Sequence, residues 1–360
     1  MKSKKLFSLS VLAIASLLAS CGANSSVKDS EGASQKDSQV SSAEESTLIY
    51  TEGISSDVIS DEFSSQKITT VTPVENPTYD LDELRSRYGG FSITYDTTNE
   101  QAGYTFDEAT KTYTLAVGTS KITYSIKGYF EGHIVIADTN NLGKGNYKGA
   151  VMSLEGACLV TNDSTAAIKY SLSKKNVEVK PKKDTSNLIL SLGDANAVES
   201  SNNIELDGKG KLDIFTVAGH GFKTSDDFRL YGEPSVTIYS GHDGIHCGHF
   251  YTDDAATDTE VTHFSGKCNL INIAHQAIEA SSDTNFDGTI NISGGTFFVN
   301  SALAVFKSNL SVSVLTNATV DGYNITEGAV LKDLTGSNDL TLTVEGHFYC
   351  NGQAVESAIL

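Results

Sequence analysis

A two-residue unit, in which a small residue precedes an aliphatic or aromatic one, recurs along the chain at intervals of 23 to 33 residues. Short alternating apolar runs separated by Gly, Asn and Asp fill the intervals. Such a repeat is typical of a β-solenoid, because a single coil cannot bury its inward side chains alone, whereas stacked coils can. We predict an all-β fold, a single-stranded right-handed parallel β-helix over residues 91–360. The recurring units are Ala197-Val198, Gly221-Phe222, Gly244-Ile245, Ala277-Ile278, Ala304-Val305 and Ala329-Val330.

A β-sandwich is the alternative fold, since its strands also recur at short intervals. A sandwich does not require the same unit at the same place in every repeat, and this recurrence favours the solenoid. Composition agrees with a β fold, because Gly numbers 31, Pro only 4, and β-branched residues are abundant. The first strands are predicted at 112–115, 122–126 and 134–136.

The first twenty residues are predicted to be an export signal. Lysines near the start precede an apolar run at 6–18 that is too short to span a bilayer. The junction Leu18-Ala19-Ser20-Cys21 resembles the lipobox of bacterial lipoproteins. The resemblance implies that Cys21 is acylated and anchors the mature chain to the extracytoplasmic face of the cell membrane. An ordinary secretory signal with an incidental Cys is the alternative.

Residues 21–46 are Ser-rich and contain no aromatic residue, which predicts a disordered tether because little apolar surface can be buried. Residues 47–90 form an irregular N-terminal segment. Within it, a short helix is predicted from Asp80 to Arg87, ended by Gly89-Gly90.

The charge balance excludes one class of partner. Lys and Arg number 26 and Asp and Glu 45, a formal net charge of −19, whereas nucleic acids are held by clustered Lys and Arg. The same charge repels an acidic polysaccharide unless cations such as Ca²⁺ bridge the two. No P-loop, dinucleotide fingerprint or nucleophile elbow is present in the sequence. We expect a monomer.

Four cysteines follow the lipobox, and an exported chain permits disulfides among them. Buried free thiols are the alternative. Their spacing does not resemble a zinc knuckle. The four are Cys158, Cys247, Cys268 and Cys350.

Several segments between about residues 110 and 310 resemble the bacterial carbohydrate-binding domain-containing protein family of secreted, calcium-associated right-handed parallel β-helices. The resemblance implies a pectate-lyase-like shape and binding of plant-type polysaccharides, including acidic ones, without cleavage. This chain departs from the family in its lipobox, in a long insertion after His249 and in its lack of Trp. The resembling segments are 128–136, 151–156, 166–168, 219–226 and 240–246.

The segment 241–260 is the densest polar stretch, and it lies in the 33-residue repeat. Its carboxylates are hard oxygen ligands suited to Ca²⁺, although they do not match an EF-hand. A solvated acidic loop is the alternative. The candidate metal ligands are Asp243, Asp253, Asp254, Asp258 and Glu260.

Histidines near the repeated units are candidates for binding sugar hydroxyls. His220 and His242 are expected to stack on adjacent coils, and paired corner residues are the alternative. A zinc site at His242, His246 and His249 would need a spacing that converges on a helix, and no helix is predicted there. The candidate carbohydrate-binding residues are His220, Asp226, His242, His246 and Tyr251.

Three functions follow from these features. The first is a lipid-anchored, non-catalytic polysaccharide-binding protein, with Ca²⁺ bridging if the glycan is acidic. The second is a Ca²⁺-dependent polysaccharide lyase, for which Lys223 is the best candidate base. The third is an adhesin that contacts protein through its long lateral surface.

Overall fold

A computed structural model describes residues 75–172, 177–254, 261–281, 287–324, 331–333, 340–356 and 358–359. The predicted signal peptide, Cys21 and the tether lie outside these residues, as do Asp258 and Glu260. No helix within the described ranges is both long and apolar enough to cross a membrane.

The described part of the chain contains one helix and a long series of short strands. In chain order the elements are α1 (Leu81–Tyr88), β1 (Ser92–Tyr95), β2 (Tyr104–Asp107), β3 (Thr112–Ala116), β4 (Ile122–Glu131), β5 (His133–Ala137), β6 (Ala150–Thr161), β7 (Ile168–Tyr170), β8 (Val177–Pro181), β9 (Ser186–Ser191), β10 (Val198–Ser200), β11 (Ile204–Leu206), β12 (Lys211–Thr216), β13 (Phe222–Thr224), β14 (Asp227–Leu230), β15 (Ser235–Ser240), β16 (Ile245–Cys247), β17 (His249–Tyr251), β18 (Lys267–Ile273), β19 (Gln276–Ala280), β20 (Thr289–Ser301), β21 (Ala304–Ser308), β22 (Ser311–Asn324), β23 (Leu331–Asp333), β24 (Thr341–Val344), β25 (His347–Cys350), β26 (Gln353–Ala354) and β27 (Ala358–Ile359).

The strands form three columns, in which each strand pairs in parallel with its copy one coil away. Column one contains β3, β5, β7, β10, β13, β16, β19, β21 and β23. Column two contains β8, β11, β14, β17 and β24 with the first halves of β4, β6, β20 and β22. Column three contains β9, β12, β15, β18 and β25 with the second halves of those four long strands.

This parallel register confirms the predicted β-helix and excludes the sandwich, which would pair its strands mainly in antiparallel fashion. Among the described strands, antiparallel pairs occur at the two ends of the stack. They are β1–β4 and β2–β3 at the first end and β24–β27 and β25–β26 at the last. Antiparallel pairs at the ends of the stack restrict further strand addition at a sheet edge.

The core is a stack of inward side chains from successive coils. In column one, Val198, Phe222, Ile245 and Ile278 pair in direct register, and each is almost completely buried. The predicted next member, Val305, is wrong by one residue, because Ile278 pairs with Phe306. The last predicted unit, Ala329-Val330, lies outside the described residues.

The helix predicted from Asp80 to Arg87 is found at Leu81–Tyr88. The Asp80 side chain accepts hydrogen bonds from the N–H groups of Asp82 and Glu83, at 2.9 and 3.2 Å, and caps the helix. Leu84 and the preceding Tyr79 pack in one apolar cluster with residues of β6 and β9. This part of the outer face of column three is therefore covered by the chain itself.

Cys158, Cys247, Cys268 and Cys350 are all free thiols, and the possibility of disulfides among them is wrong. The first three are buried, whereas Cys350 is partly exposed. Burial raises the pKa of the Cys158 and Cys268 thiols to about 12, and both remain protonated at neutral pH. Cys247 and Cys268 are members of the apolar core.

The buried side-chain amide of Asn187 links backbone groups of the coils on either side of it. Asn187 is fully buried, and its Oδ1 accepts hydrogen bonds from the N–H groups of Gly156 and Ala157, at 2.8 and 2.9 Å. Its Nδ2 donates to the carbonyl of Lys211 at 3.0 Å. In the next coil Leu212 occupies the paired position, so an apolar residue of similar volume can occupy that place in the stack.

We expect Asn187→Leu to destabilise the protein by at least about 2 kcal/mol, because it leaves buried backbone groups unpaired. Urea unfolding of the full chain measures the difference. The exposed Asn162→Leu is the matched control, and it should change the free energy of unfolding by less than about 0.5 kcal/mol. Equal stability of the two variants would contradict the structural role of the amide.

Candidate functional site

Turns from column three to column one bring four imidazoles and one carboxylate together. His220 lies between β12 and β13, His242 and Asp243 lie between β15 and β16, and His246 lies on β16. His275 follows β18 in the next coil. We call these five residues the histidine corner. The turns stack closely, since a Cβ atom on Gly241 would lie 1.8 Å from the carbonyl oxygen of Val217.

Asp243 is the centre of the histidine corner and is completely buried. Its Oδ2 lies 3.2 Å from His220 Nδ1, 3.3 Å from His242 Nδ1 and 3.1 Å from His246 Nδ1. Its Oδ1 accepts a hydrogen bond from the backbone N–H of Gln276 at 3.1 Å. Burial by itself would raise the pKa of this carboxyl, but the surrounding imidazoles and the backbone donor hold the pKa well below its usual range.

The imidazole rings form a continuous cluster. The centroids of His220 and His242 are 4.2 Å apart, those of His220 and His246 are 4.9 Å apart, and those of His242 and His275 are 3.9 Å apart. Burial lowers the pKa of His220 and of His275 below the ordinary histidine value. Both rings are therefore neutral at neutral pH and can offer a nitrogen lone pair.

The predicted stacking of His220 and His242 on adjacent coils is confirmed by the distance between their rings. Their positions in the repeat differ by one residue, however. The pairing of Phe222 with Ile245 aligns His220 with Asp243. The pairing of Ile245 with Ile278 then aligns His242 with His275.

Four residues that contact the candidates or each other are not among the sequence-predicted site residues, because they lie in later coils: His275, Gln276, Glu279 and Lys307. A signal for two of them was present, because His275-Gln276 precedes Ala277-Ile278 just as His242-Asp243 precedes Gly244-Ile245. In its alternative amide orientation, the Gln276 side chain donates to Asp243 Oδ1 at 2.7 Å and to Glu279 Oε2 at 3.3 Å.

A row of charged side chains runs along the outer face of column one, next to the histidine corner. Each column-one strand from β7 to β21 contributes one outward residue, and that residue pairs in register with the outward residue of the next strand in the column. Lys169 and Glu199 are joined at 3.3 Å, and Glu279 and Lys307 also at 3.3 Å, while Lys223 is exposed. We call this row the column-one ladder, and it comprises Lys169, Glu199, Lys223, His246, Glu279 and Lys307.

The other candidate carbohydrate-binding residues lie at the far side of column one. Asp226 is exposed in the turn from β13 to β14. Tyr251 lies on β17 in column two, where the Arg229 guanidinium stands over its ring at 4.5 Å. The strands of column one separate both residues from His220 and His242.

The predicted acidic metal site does not come together as one set. The insertion lies between β17 and β18, so Asp253 and Asp254 follow column two, whereas Asp243 is in the histidine corner. Asp253 instead lies 3.5 Å from the Arg229 guanidinium. The donors around Asp243 are mainly imidazole nitrogens, which do not fit Ca²⁺ because that ion takes six to eight oxygen ligands.

His249 is separated from the other histidines that were considered for zinc. It lies on β17, and its Nδ1 is 3.3 Å from Thr289 Oγ1. His242, His246 and His249 therefore do not converge on one point. The convergence that does occur joins His220 and His275 to Asp243 across coils.

A polar cavity of about 950 Å³ lies at the first end of the solenoid and contains no residue of the histidine corner. Lys121 lines it, and its ammonium group is 2.7 Å from Glu178. Other lining residues include Thr94, Asp96, Asn99 and Gln101.

Comparisons with known proteins bear on the domain as a whole. A family model described as "Carbohydrate-binding domain-containing protein" matches residues 111–354. A solved structure of a polysaccharide lyase-like protein from C. thermocellum, a gadolinium derivative, is similar with a TM-score of 0.52 and 17% identity. The match covers 67% of this chain and 90% of that one, and at this identity it shows the fold alone. No curated protein matches the chain in sequence.

The buried imidazoles predict how stability depends on pH. Because the folded pKa of His220 is below its unfolded value, the unfolded chain takes up protons first as the pH falls below about 6.5. The free energy of unfolding therefore decreases as the pH falls through and below about 6.5. We expect His220→Asn to weaken this decrease, as judged from urea midpoints of the metal-free chain.

The exposed His347 provides the control, and His347→Asn should leave the pH dependence of stability unchanged. Asn is a reasonable replacement at position 220, since Asn196 occupies the aligned position one coil earlier. A pH dependence in His220→Asn as steep as in the parent chain would show that this imidazole is not the group responsible.

Proposed function

Because the chain belongs to the carbohydrate-binding domain-containing protein family, we propose that it binds a polysaccharide without cleaving it. In this proposal the protein is a monomer, anchored at the extracytoplasmic face of the cell membrane through acylated Cys21. The column-one ladder is the observation that carries the proposal, and it forms the centre of the binding face.

The ladder is periodic along the solenoid axis, as a linear polysaccharide is along its own. Neighbouring strands lie about 4.8 Å apart, so each coil offers one polar side chain at a regular interval. Charged donors and acceptors form stronger hydrogen bonds than neutral ones, which suits them to sugar hydroxyls. His220 and His242 border the ladder where the strands begin, and Asp226 borders it where they end.

The charge of the ladder differs from that of the whole chain. Its order is Lys169, Glu199, Lys223, His246, Glu279 and Lys307, so three lysines are interspersed with two carboxylates and one imidazole. The surrounding protein is strongly acidic, with a formal charge of −19. For an acidic glycan we therefore propose that Ca²⁺ links exposed carboxylates, such as that of Asp226, to the carboxylates of the sugar.

A lyase is the second candidate, and it is supported by one observation. Lys223 is exposed on the ladder and pairs in register with His246. A base at this place can take the proton α to a uronate carboxylate, after which the glycosidic C–O bond breaks and a C=C bond forms.

We expect Lys223→Glu to weaken binding of a polyuronate by about tenfold or more, because it puts a third carboxylate near Glu199 and Glu279. Isothermal titration with the full chain measures the affinity. Lys209→Glu is the matched control, since Lys209 is exposed in the turn between β11 and β12 and pairs with Glu233 at 3.0 Å. Equal losses in the two variants would show only a general charge effect and would contradict the ladder.

Calcium bridging makes a separate prediction about chelation. A polyuronate column that retains the protein in Ca²⁺ should release it when EGTA is added. Retention should return with Ca²⁺ but not with Zn²⁺, since the bridging carboxylates are hard oxygen ligands. Retention of the protein on the polyuronate column after chelation would refute bridging while leaving the ladder proposal intact.

Incubation of the protein with a polyuronate and Ca²⁺ should produce no increase in ultraviolet absorbance. An increase that Lys223→Ala abolishes would identify unsaturated uronides and would replace the binding proposal with the lyase.

A further inference from the structure

We propose that the histidine corner is a binding site for a divalent transition-metal ion of the Zn²⁺ class. The ligands are the Nδ1 atoms of His220 and His246 and a carboxylate oxygen of Asp243, and a water molecule would complete the four-coordinate shell. This inference concerns the turns beside the column-one ladder and does not depend on polysaccharide binding.

The spacing of the donor atoms agrees with a tetrahedral ion. Ligand bonds of about 2.0–2.1 Å that meet at the tetrahedral angle put two donor atoms about 3.3 Å apart. The Nδ1 atoms of His220 and His246 lie 3.2 and 3.1 Å from Asp243 Oδ2. The ligand atoms of His220, Asp243 and His246 also lie within 4.8 Å of one another.

A second observation is that hydrogen bonding does not account for this convergence. His246 Nδ1 has hydrogen-bond geometry toward Asp243 Oδ2, but the buried Nδ1 atoms of His220 and His242 have no hydrogen-bond partner. The His220 side chain is 9% exposed, so water does not readily compensate. Imidazole nitrogens gathered about one carboxylate, with the buried His220 Nδ1 lacking a hydrogen-bond partner, are the arrangement that a bound cation would organise.

The surroundings of the ligands are those of a metal site. Asp243 Oδ1 is held by the backbone N–H of Gln276, and His246 Nε2 lies 3.5 Å from Ser281 Oγ. Such outer contacts orient metal ligands and fix the ring tautomer. The His242 side chain is 40% exposed, which leaves a path from solvent to the ion.

The donor set selects the class of metal. Two imidazole nitrogens, a carboxylate oxygen and a water suit Zn²⁺ and its neighbours in the first transition row, whereas Ca²⁺ and Mg²⁺ prefer oxygen alone. An ion here joins His220 of one coil to Asp243 and His246 of the next. We therefore expect the metal to cross-link adjacent coils and to raise the melting temperature.

The test uses the full chain without a polyhistidine tag, stripped with a chelator and dialysed. We expect one equivalent of Zn²⁺ to bind and to raise the melting temperature, and Ca²⁺ to do neither. Co²⁺ should give the intense visible bands of a four-coordinate ion. In the double variant His220→Asn, His246→Gln, Zn²⁺ affinity should fall at least about 100-fold, beyond the loss typical of outer contacts.

The control is His347→Gln, which removes an exposed imidazole from outside the corner and should retain the parent affinity. Circular dichroism of the metal-free double variant shows whether it folds. If it does not, the Co²⁺ spectrum of the unmutated chain decides the matter. Absence of four-coordinate bands, weak zinc binding with no defined stoichiometry, or parental affinity in a folded double variant would each overturn the proposal.

Discussion

Direct stacking of inward side chains between successive coils is the interaction on which the rest of the molecule depends. A coil of three short strands has too little interior to be stable alone, and its apolar residues are buried only against the coils on either side. Val198, Phe222, Ile245 and Ile278 form one such stack in column one. Burial at about 25 cal/mol per Å² acts at every coil, and parallel backbone pairing keeps the coils in step.

This register also builds the functional surfaces, because outward residues stack whenever inward ones do. Residues 23 to 33 positions apart in sequence become neighbours on the outer face, which produces the column-one ladder and the histidine corner. The 33-residue coil shows how insertions are tolerated. Its extra residues lie between β17 and β18 in the chain, and Ile245 and Ile278 remain paired in register.

The ladder and the histidine corner share His246 but differ in chemistry. The ladder carries both signs of charge, and its exposure varies from the exposed Lys223 to the buried Glu279. The histidine corner is centred on a buried carboxylate that is surrounded by imidazole nitrogens. A surface that binds sugar does not need a buried carboxylate of this kind. A bound metal would hold His246 in one position, and with it the neighbouring residues of the column-one ladder. Metal binding at the histidine corner would then help to order the proposed sugar-binding face.

The sequence by itself determined the solenoid, its early strands, the short capped helix and the stacking of His220 with His242. The solenoid, its early strands and the histidine stacking follow from the apolar periodicity, and the helix follows from its local capping residues. Both signals can be recognised without knowing which residues they contact in the folded chain. Only the tertiary structure decided that Asp243 is separated from Asp253 and meets His220 and His275, and that Phe306 rather than Val305 continues the stack. The physical reason is one of precision: burying an apolar side chain needs only the correct face, whereas bringing donor atoms within about 3 Å needs the exact register of every intervening turn.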